Sequence, residues 1–280
     1  MSPAFQSVFS DWSCPIGLTL TIAVTGALYL RGWFALRRTR PAQFTGWRLF
    51  SFMSGLASLW LSLCSPLESL ADSLISAHMV EHLILMSLVP PLVLLGLPVV
   101  PLLRGLPRPL RTSIAGPLLR FRPLRRLMHQ LVRPRVAWLA MNITFLAWHI
   151  PAAYDFALDH EFWHDVEHIC FLSTALLFWY CIVRPWPALQ RPHSWGILLY
   201  LLSADFVNTA LSAFLAFCNR AVYPYYLDHS NPFQVAALPD QILGAVIMWV
   251  IGSLAFLIPA AAITFSRLQP AAPQRTYTRA

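Results

Sequence analysis

Two copies of one five-residue pattern carry most of the chemistry in this sequence. His78-Met79-Val80-Glu81-His82 and His164-Asp165-Val166-Glu167-His168 both read His-x-Val-Glu-His. Residues at i and i+4 share one face of a helix, so each copy presents two imidazoles to the same side, as a helix does when it holds one metal ion. His149, in Trp148-His149-Ile150-Pro151, is a candidate fifth ligand. Glu81 and Glu167 have two readings. They accept hydrogen bonds from the ring N–H groups and fix the tautomers, or they are general bases, since His-x-x-Glu-His is also the inverted zinc-protease pattern. Sulfur donors lie close by in sequence. Met86 continues the His78–His82 stripe by one turn, Met79 adjoins it, and Met248 shares a stripe with Asp240 and Gly244. Imidazole with thioether suits copper, especially Cu(I), whereas imidazole with carboxylate suits zinc or iron. Haem held by histidines from two helices is a third option.

The elements that must position these groups are membrane spans. Hydrophobic residues make up 57% of the 280 and charged residues 11%, where a soluble domain carries about 25% charge. Apolar runs of about 20 residues predict an all-α bundle of seven spans near 14–34, 47–65, 72–97, 135–152, 162–183, 194–218 and 239–266. The first is read as a retained helix and the whole chain as one integral membrane domain. Pro90 and Pro91 fall inside the third span and should kink it, which a bundle tolerates when neighbours satisfy the freed carbonyls. An ionisable group inside a span is costly and is a functional candidate by default.

Charge sets the orientation. The net charge is +8 and all 20 basic residues are arginine. All but one cluster in alternate loops: Arg31 to Arg48, Arg104 to Arg135, Arg184 and Arg191, then Arg267, Arg275 and Arg279; only Arg220 falls on the other side. The positive-inside rule then puts the N-terminus outside and the C-terminus in the cytoplasm. The basicity is a topology signal spread over four segments, which argues against a nucleic-acid surface. The Arg- and Pro-rich loop 98–135 is expected to include a helix lying on anionic lipid. With this orientation His78 and His82 lie roughly 9 and 15 Å along their helix from its outer end. His78, His82, His149, His164 and His168 then form one outer-leaflet layer on three helices. His160 extends the second stripe backwards as a solvated residue, His129 and His193 are cytoplasmic, and His229 lies in the outer loop 219–238, within approach.

The remaining intramembrane polar groups are ambiguous. Asp205, with Asn208, Thr209 and Ser212, is either a proton or ion relay or interhelical glue. Asp240 opens the last span, where it caps a helix N-terminus or faces the histidines. Cys14, Cys64 and Cys218 lie near outer span ends, and any disulfide pairing among them is open.

Several blocks resemble one family. The run His78-Met79-Val80-Glu81-His82-Leu83-Ile84-Leu85-Met86, with Pro90-Pro91-Leu92-Val93-Leu94-Leu95-Gly96, is similar to the third-span signature of the membrane-embedded CtaG family. These are cytochrome c oxidase assembly factors associated with caa3-type oxidases. The resemblance continues through Trp148 to Asp155, His164 to His168 with Phe178-Trp179, Tyr223-Pro224-Tyr225-Tyr226, and Asp240-Gln241-Ile242-Leu243-Gly244 with Ile247-Met248-Trp249. The blocks run in family order over roughly residues 50–265. Two departures stand out. The family commonly has Gln where this chain has Glu81, which weakens a catalytic base there, and it commonly reads Asp-Gln-Gln-Leu-Gly-Gly at Asp240 to Ala245. The resemblance implies a non-catalytic, multi-pass protein of the bacterial cytoplasmic membrane. It would help assemble a haem–copper oxidase, with copper as cofactor or cargo and oxidase subunits, and a copper chaperone, as partners. An intramembrane zinc hydrolase and a haem protein are the alternatives.

Overall fold

The computed structural model describes residues 12, 15–185, 195–229, 231 and 233–268. Among these the regular structure is entirely helical. In chain order the elements are α1 (Ile16–Arg37), α2 (Gly46–Cys64), α3 (Pro66–Ala71), α4 (Ile75–Leu95), α5 (Val99–Gly105), a short helical stretch with a π-helical middle over 108–120, α6 (Arg122–Leu131), α7 (Pro134–Trp148), α8 (Pro151–Leu158), α9 (Glu161–Val183), α10 (Gly196–Phe217), α11 (Tyr225–Asp228) and α12 (Ala237–Leu268). Five of them, α1, α4, α9, α10 and α12, are long and apolar enough to cross a membrane, and the α7–α8 pair makes a sixth if its two bent halves form one span. Helix α2 stands outside that set. It carries Arg48 and four serines, although its length of about 28 Å approaches a bilayer core. Large apolar side chains point outward along these helices, including Leu20, Ile143, Leu199, Phe206 and Ile258, as lipid-facing surfaces require.

The expected fourth span, 135–152, is not one straight helix. It ends at Trp148, the chain turns through 76°, and Pro151 opens α8. Proline is suited to that first position because the missing N–H has no intrahelical acceptor there. The break puts His149 at the corner. The loop 98–135 divides in a way its composition conceals. Helix α5 packs onto α1 so tightly that a Cβ on Gly32 would fall on the Pro101 carbonyl. Helix α6, with Arg122, Arg125 and Arg126, buries no residue.

Two apolar clusters hold the bundle. The smaller gathers Tyr29, Trp33, Leu36, Phe44, Phe52, Leu56 and Leu97 from α1, α2 and the turn after α4. The larger runs through α4, α7, α9, α10 and α12. Helix α4 is α-helical over Ile75–Leu83, π-helical over Ile84–Leu88 and α-helical again from Val89 to Leu95. Proline at position 90 frees the carbonyl of Met86. The Trp179 indole N–H donates to that carbonyl at 2.8 Å. Ser51 likewise donates to the Leu92 carbonyl at 2.7 Å. The Trp179 indole on a neighbouring helix thus answers the carbonyl that Pro90 frees, and the Ser51 bond ties α2 to the last turn of α4. Cys14, Arg191, His193, Arg275 and Arg279 lie outside the described residues. Cys64 is buried with its sulfur 4.0 Å from the Thr19 hydroxyl, and Cys218 is a free thiol.

Candidate metal centre

Helices α4 and α9 bring the two His-x-Val-Glu-His copies face to face. Ring centroids stand 4.1 Å apart for His78–His82 and 4.2 Å for His164–His168, the within-helix pairs. Across the interface His78 lies 5.3 Å from His164 and His82 lies 5.8 Å from His168. His149 reaches in from the α7–α8 corner, 6.1 Å from His82. Its Nδ1 sits 2.7 Å from the Phe145 carbonyl, which can only accept, so Nδ1 carries the hydrogen and Nε2 keeps its lone pair. All five rings are buried, and all five predicted ligands share one chamber. His160 and His229 are exposed, each tied to a backbone carbonyl of its own helical turn, and take no part.

The glutamates lie in the chamber too. Glu81 and Glu167 are fully buried. Three histidine–carboxylate approaches link the helices: His82 Nε2 to Glu167 at 3.6 Å, His164 Nδ1 to Glu68 at 3.8 Å, and His168 Nε2 to Glu81 at 3.9 Å. These separations exceed a hydrogen bond of about 2.7–3.2 Å. They fall within the span of about 4.2 Å available to two donors sharing a metal with bonds of about 2.0–2.1 Å. Three overlapping sets bring their donor atoms within 4.8 Å of one another: His78, His82 and Glu167; His78, Glu81 and His164; and Glu68, His164 and His168.

The hydrogen-bond inventory is consistent with this geometry. Both ring nitrogens of His78 and of His82, Nε2 of His149, His164 and His168, and both carboxylate oxygens of Glu81 and Glu167 are buried without a partner among the described residues. Leaving one such group unsatisfied costs about 1–3 kcal/mol, more when it is charged, and native proteins tolerate few. Imidazole and carboxylate donors left open in this number fit a metal ion. Glu68 forms the outer rim on α3, outside the spans, where burial pushes its carboxyl up to about 7. Beside it, a recess lined by Glu161, Asp165, His164 and His168 reaches the surface, where Glu161 and Asp165 are exposed.

Asp240 takes the capping role, but for a helix other than its own. Its Oδ2 accepts from the backbone N–H groups of Ile75 at 2.6 Å and Ser76 at 3.4 Å, and its Oδ1 accepts from the Ser76 hydroxyl at 2.5 Å. Leu74, the residue before α4, offers no side-chain cap. The first turn of α12 therefore caps α4 just before His78, with a carboxylate at the positive end of the helix dipole. The approach needs Gly244: a Cβ there would stand 3.1 Å from the Ser76 Cα.

A tyrosine layer closes the chamber. Tyr154 lies 5.0 Å from His78 and stacks on Tyr223 at 4.0 Å. The Tyr154 and Tyr226 hydroxyls meet at 3.3 Å, and Tyr226 donates to the Ala71 carbonyl at 2.9 Å. Gln241 fastens the adjoining loop by accepting from the Val222 N–H at 2.7 Å and donating to the Leu215 carbonyl at 3.0 Å. Sequence reasoning gives no site role to Glu68, Tyr154, Tyr223 or Tyr226. Met86 and Met248 are buried next to the chamber. Of the polar stripe on α10, Asn208 donates to the Met248 carbonyl at 3.3 Å and is an interhelical contact. Asp205 is half-buried with Oδ1 unpartnered among the described residues.

The chain is 25% identical over 258 residues to the uncharacterized protein Mb0105 of Mycobacterium bovis, covering 90% of this chain and 38% of that protein. It is 25% identical over 268 residues to the uncharacterized protein ML1998 of Mycobacterium leprae, covering 91% of this chain and 39% of that one. The chain thus spans about two fifths of the length of these curated relatives. No solved structure matches it. A family profile described as cytochrome c oxidase caa3 assembly factor (Caa3_CtaG) matches residues 27–269, and the chain belongs to that family.

Proposed function

We propose that this protein assists assembly of a haem–copper cytochrome c oxidase by binding copper in the α4–α9 chamber and passing it on. The observation that carries the reading is the buried face of His78, His82, His164 and His168, with both ring nitrogens of the first two and Nε2 of the last two meeting no hydrogen-bond partner among the described residues. His149, Glu81 and Glu167 complete the donor set, and Glu68 guards its rim. The metal supplies charge and coordination that the orphaned donors lack. The protein's own part is to hold the rings by the Asp240 cap, exclude water with the tyrosine layer, and admit cations past Glu68, Glu161 and Asp165. This reading is of a non-catalytic role, the one that membership of an assembly-factor family suggests.

This function places the chamber toward the outside. We infer seven crossings with α2 and the bent α7–α8 pair included, the N-terminus outside, and the arginines of α6 against anionic lipid of a bacterial cytoplasmic membrane. Oxidase subunits, and a copper chaperone feeding the outer recess, are the partners. A deletion strain complemented with the wild type should yield oxidase with its full copper content. The His82→Ala, His168→Ala double variant, present at equal abundance, should yield copper-poor oxidase. Copper-replete oxidase from that strain would refute delivery by this chamber. The set His78, His82 and Glu167 also has the two-histidine, one-glutamate composition of catalytic zinc. A zinc-dependent hydrolysis lost in Glu167→Gln would favour that second reading. A Soret band in the purified protein would favour haem.

A further inference from the structure

A second cavity adjoins His82. Met79, Met86, Met141 and Met248 line it together with His82, Asn142 and Asn208. The chain has seven methionines, and four of them converge here. They come from three helices: Met79 and Met86 from α4, Met141 from α7 and Met248 from α12. All four are buried. Helical periodicity within one element does not bring them together, since Met141 and Met248 are remote in sequence from the His78 stripe. The π-helical turn of α4 begins two residues after His82 and carries Met86, and such turns are frequent at functional sites.

The two compartments differ in charge. The histidine chamber contains Glu81 and Glu167, which can neutralise a divalent ion. Among the described residues, no carboxylate and no arginine lines the methionine cavity. The amide N–H groups of Asn142 and Asn208 are turned to the carbonyls of Trp138 at 2.8 Å and Met248 at 3.3 Å. A divalent cation among thioethers without a counter-charge is penalised by desolvation. A monovalent, soft cation is penalised less, and thioether with imidazole selects it. Methionine also packs well as a gap filler, but here the four side chains surround space instead of filling it.

We propose that this cavity is a second metal site, selective for Cu(I), made by Met79, Met86, Met141 and Met248 with His82 as the ligand shared between the two compartments. It goes beyond the reading of the histidine chamber and extends it, because His82 would then connect a site that takes divalent ions to one that takes only the soft monovalent form.

The test uses the full chain in detergent or nanodiscs, with Ag(I) as a redox-inert stand-in for Cu(I) and Zn(II) as a probe of the chamber. The Met141→Leu, Met248→Leu double variant conserves volume and keeps the packing. It should weaken Ag(I) binding at least tenfold while Zn(II) binding is unchanged. The His164→Ala, Glu167→Gln variant should do the reverse, losing Zn(II) and keeping Ag(I). X-ray absorption of the Cu(I)-loaded wild type should show sulfur ligands that disappear in the methionine variant. Ag(I) affinity unchanged in that variant, a Cu(I) shell without sulfur, or no Ag(I) uptake by the wild type would each overturn the proposal. None of these results bears on Zn(II) binding in the chamber, so failure here is distinguishable from failure of the proposed function.

Discussion

Asp240 and Glu167 are both buried carboxylates close to the twin histidine motifs, and their surroundings are opposite. Asp240 accepts three hydrogen bonds from the first turn of α4. Glu167 accepts none among the described residues, and the His82 ring nitrogen stands 3.6 Å away. The first region is complete as a protein: its charge is satisfied by N–H groups and a hydroxyl, and it stabilises the fold. The second is incomplete as a protein. The physical distinction is between a polar group retained for architecture and one retained for a ligand, and burial alone does not separate them. Partner count does.

Removing donors from the incomplete region should have the largest effect on binding. His82→Ala with His168→Ala takes one ring from each motif, and elemental analysis should find bound metal abolished while far-UV circular dichroism is unchanged. Breaking the complete region should instead be felt first by the fold. Asp240→Ala leaves the Ile75 and Ser76 N–H groups unanswered at a buried helix terminus, a loss of about 3 kcal/mol or more at roughly 1.5–3 kcal/mol per hydrogen bond to a charge. The apparent melting temperature should fall even without metal, and metal affinity should fall with it.

Glu167→Gln sharpens the contrast because its two effects have opposite signs. A neutral amide relieves the burial of a carboxylate without partners, so the metal-free protein should melt at a higher temperature than the wild type. Metal affinity should fall by about 10–100-fold, the range seen even for residues that only support a ligand. If the variant were less stable without metal, Glu167 would belong with Asp240 as an architectural group. Smaller effects are expected farther from the chamber. Trp179→Phe orphans the Met86 carbonyl and should cost about 1–3 kcal/mol. Tyr226→Phe removes one bond to the Ala71 carbonyl and should cost about 1 kcal/mol, both read from thermal melts with metal affinity as the control.

Much of this was legible in the sequence. Hydropathy and arginine placement pointed to a helical membrane bundle, and i,i+4 spacing put His78 with His82 and His164 with His168. The assignment of His149 to the same layer rested on depth, and the structure brings its ring to His82. The count of crossings was less legible, because α2 mixes serines and Arg48 into its apolar run and because Pro151 breaks α7 from α8. Glu81 and Glu167 read in the sequence as tautomer-fixing acceptors or general bases, and neither reading announces their full burial. Nothing local announces that two glutamates on facing helices enter one chamber. The capping of α4 by Asp240 spans 165 residues of sequence, and Met141 joins the methionine cavity from a helix with no other candidate ligand but His149. Such placements follow from packing between helices, which periodicity within one helix does not encode.

The central claim is that the orphaned imidazoles and carboxylates of α4 and α9 are a metal centre. Elemental analysis of the protein purified from native membranes, side by side with the His82→Ala, His168→Ala variant, tests it most directly. The account predicts about one or more equivalents of copper per chain in the wild type and none in the double variant. A wild type that purifies without transition metal and takes up none on copper addition, or a double variant that retains its full complement, would contradict it.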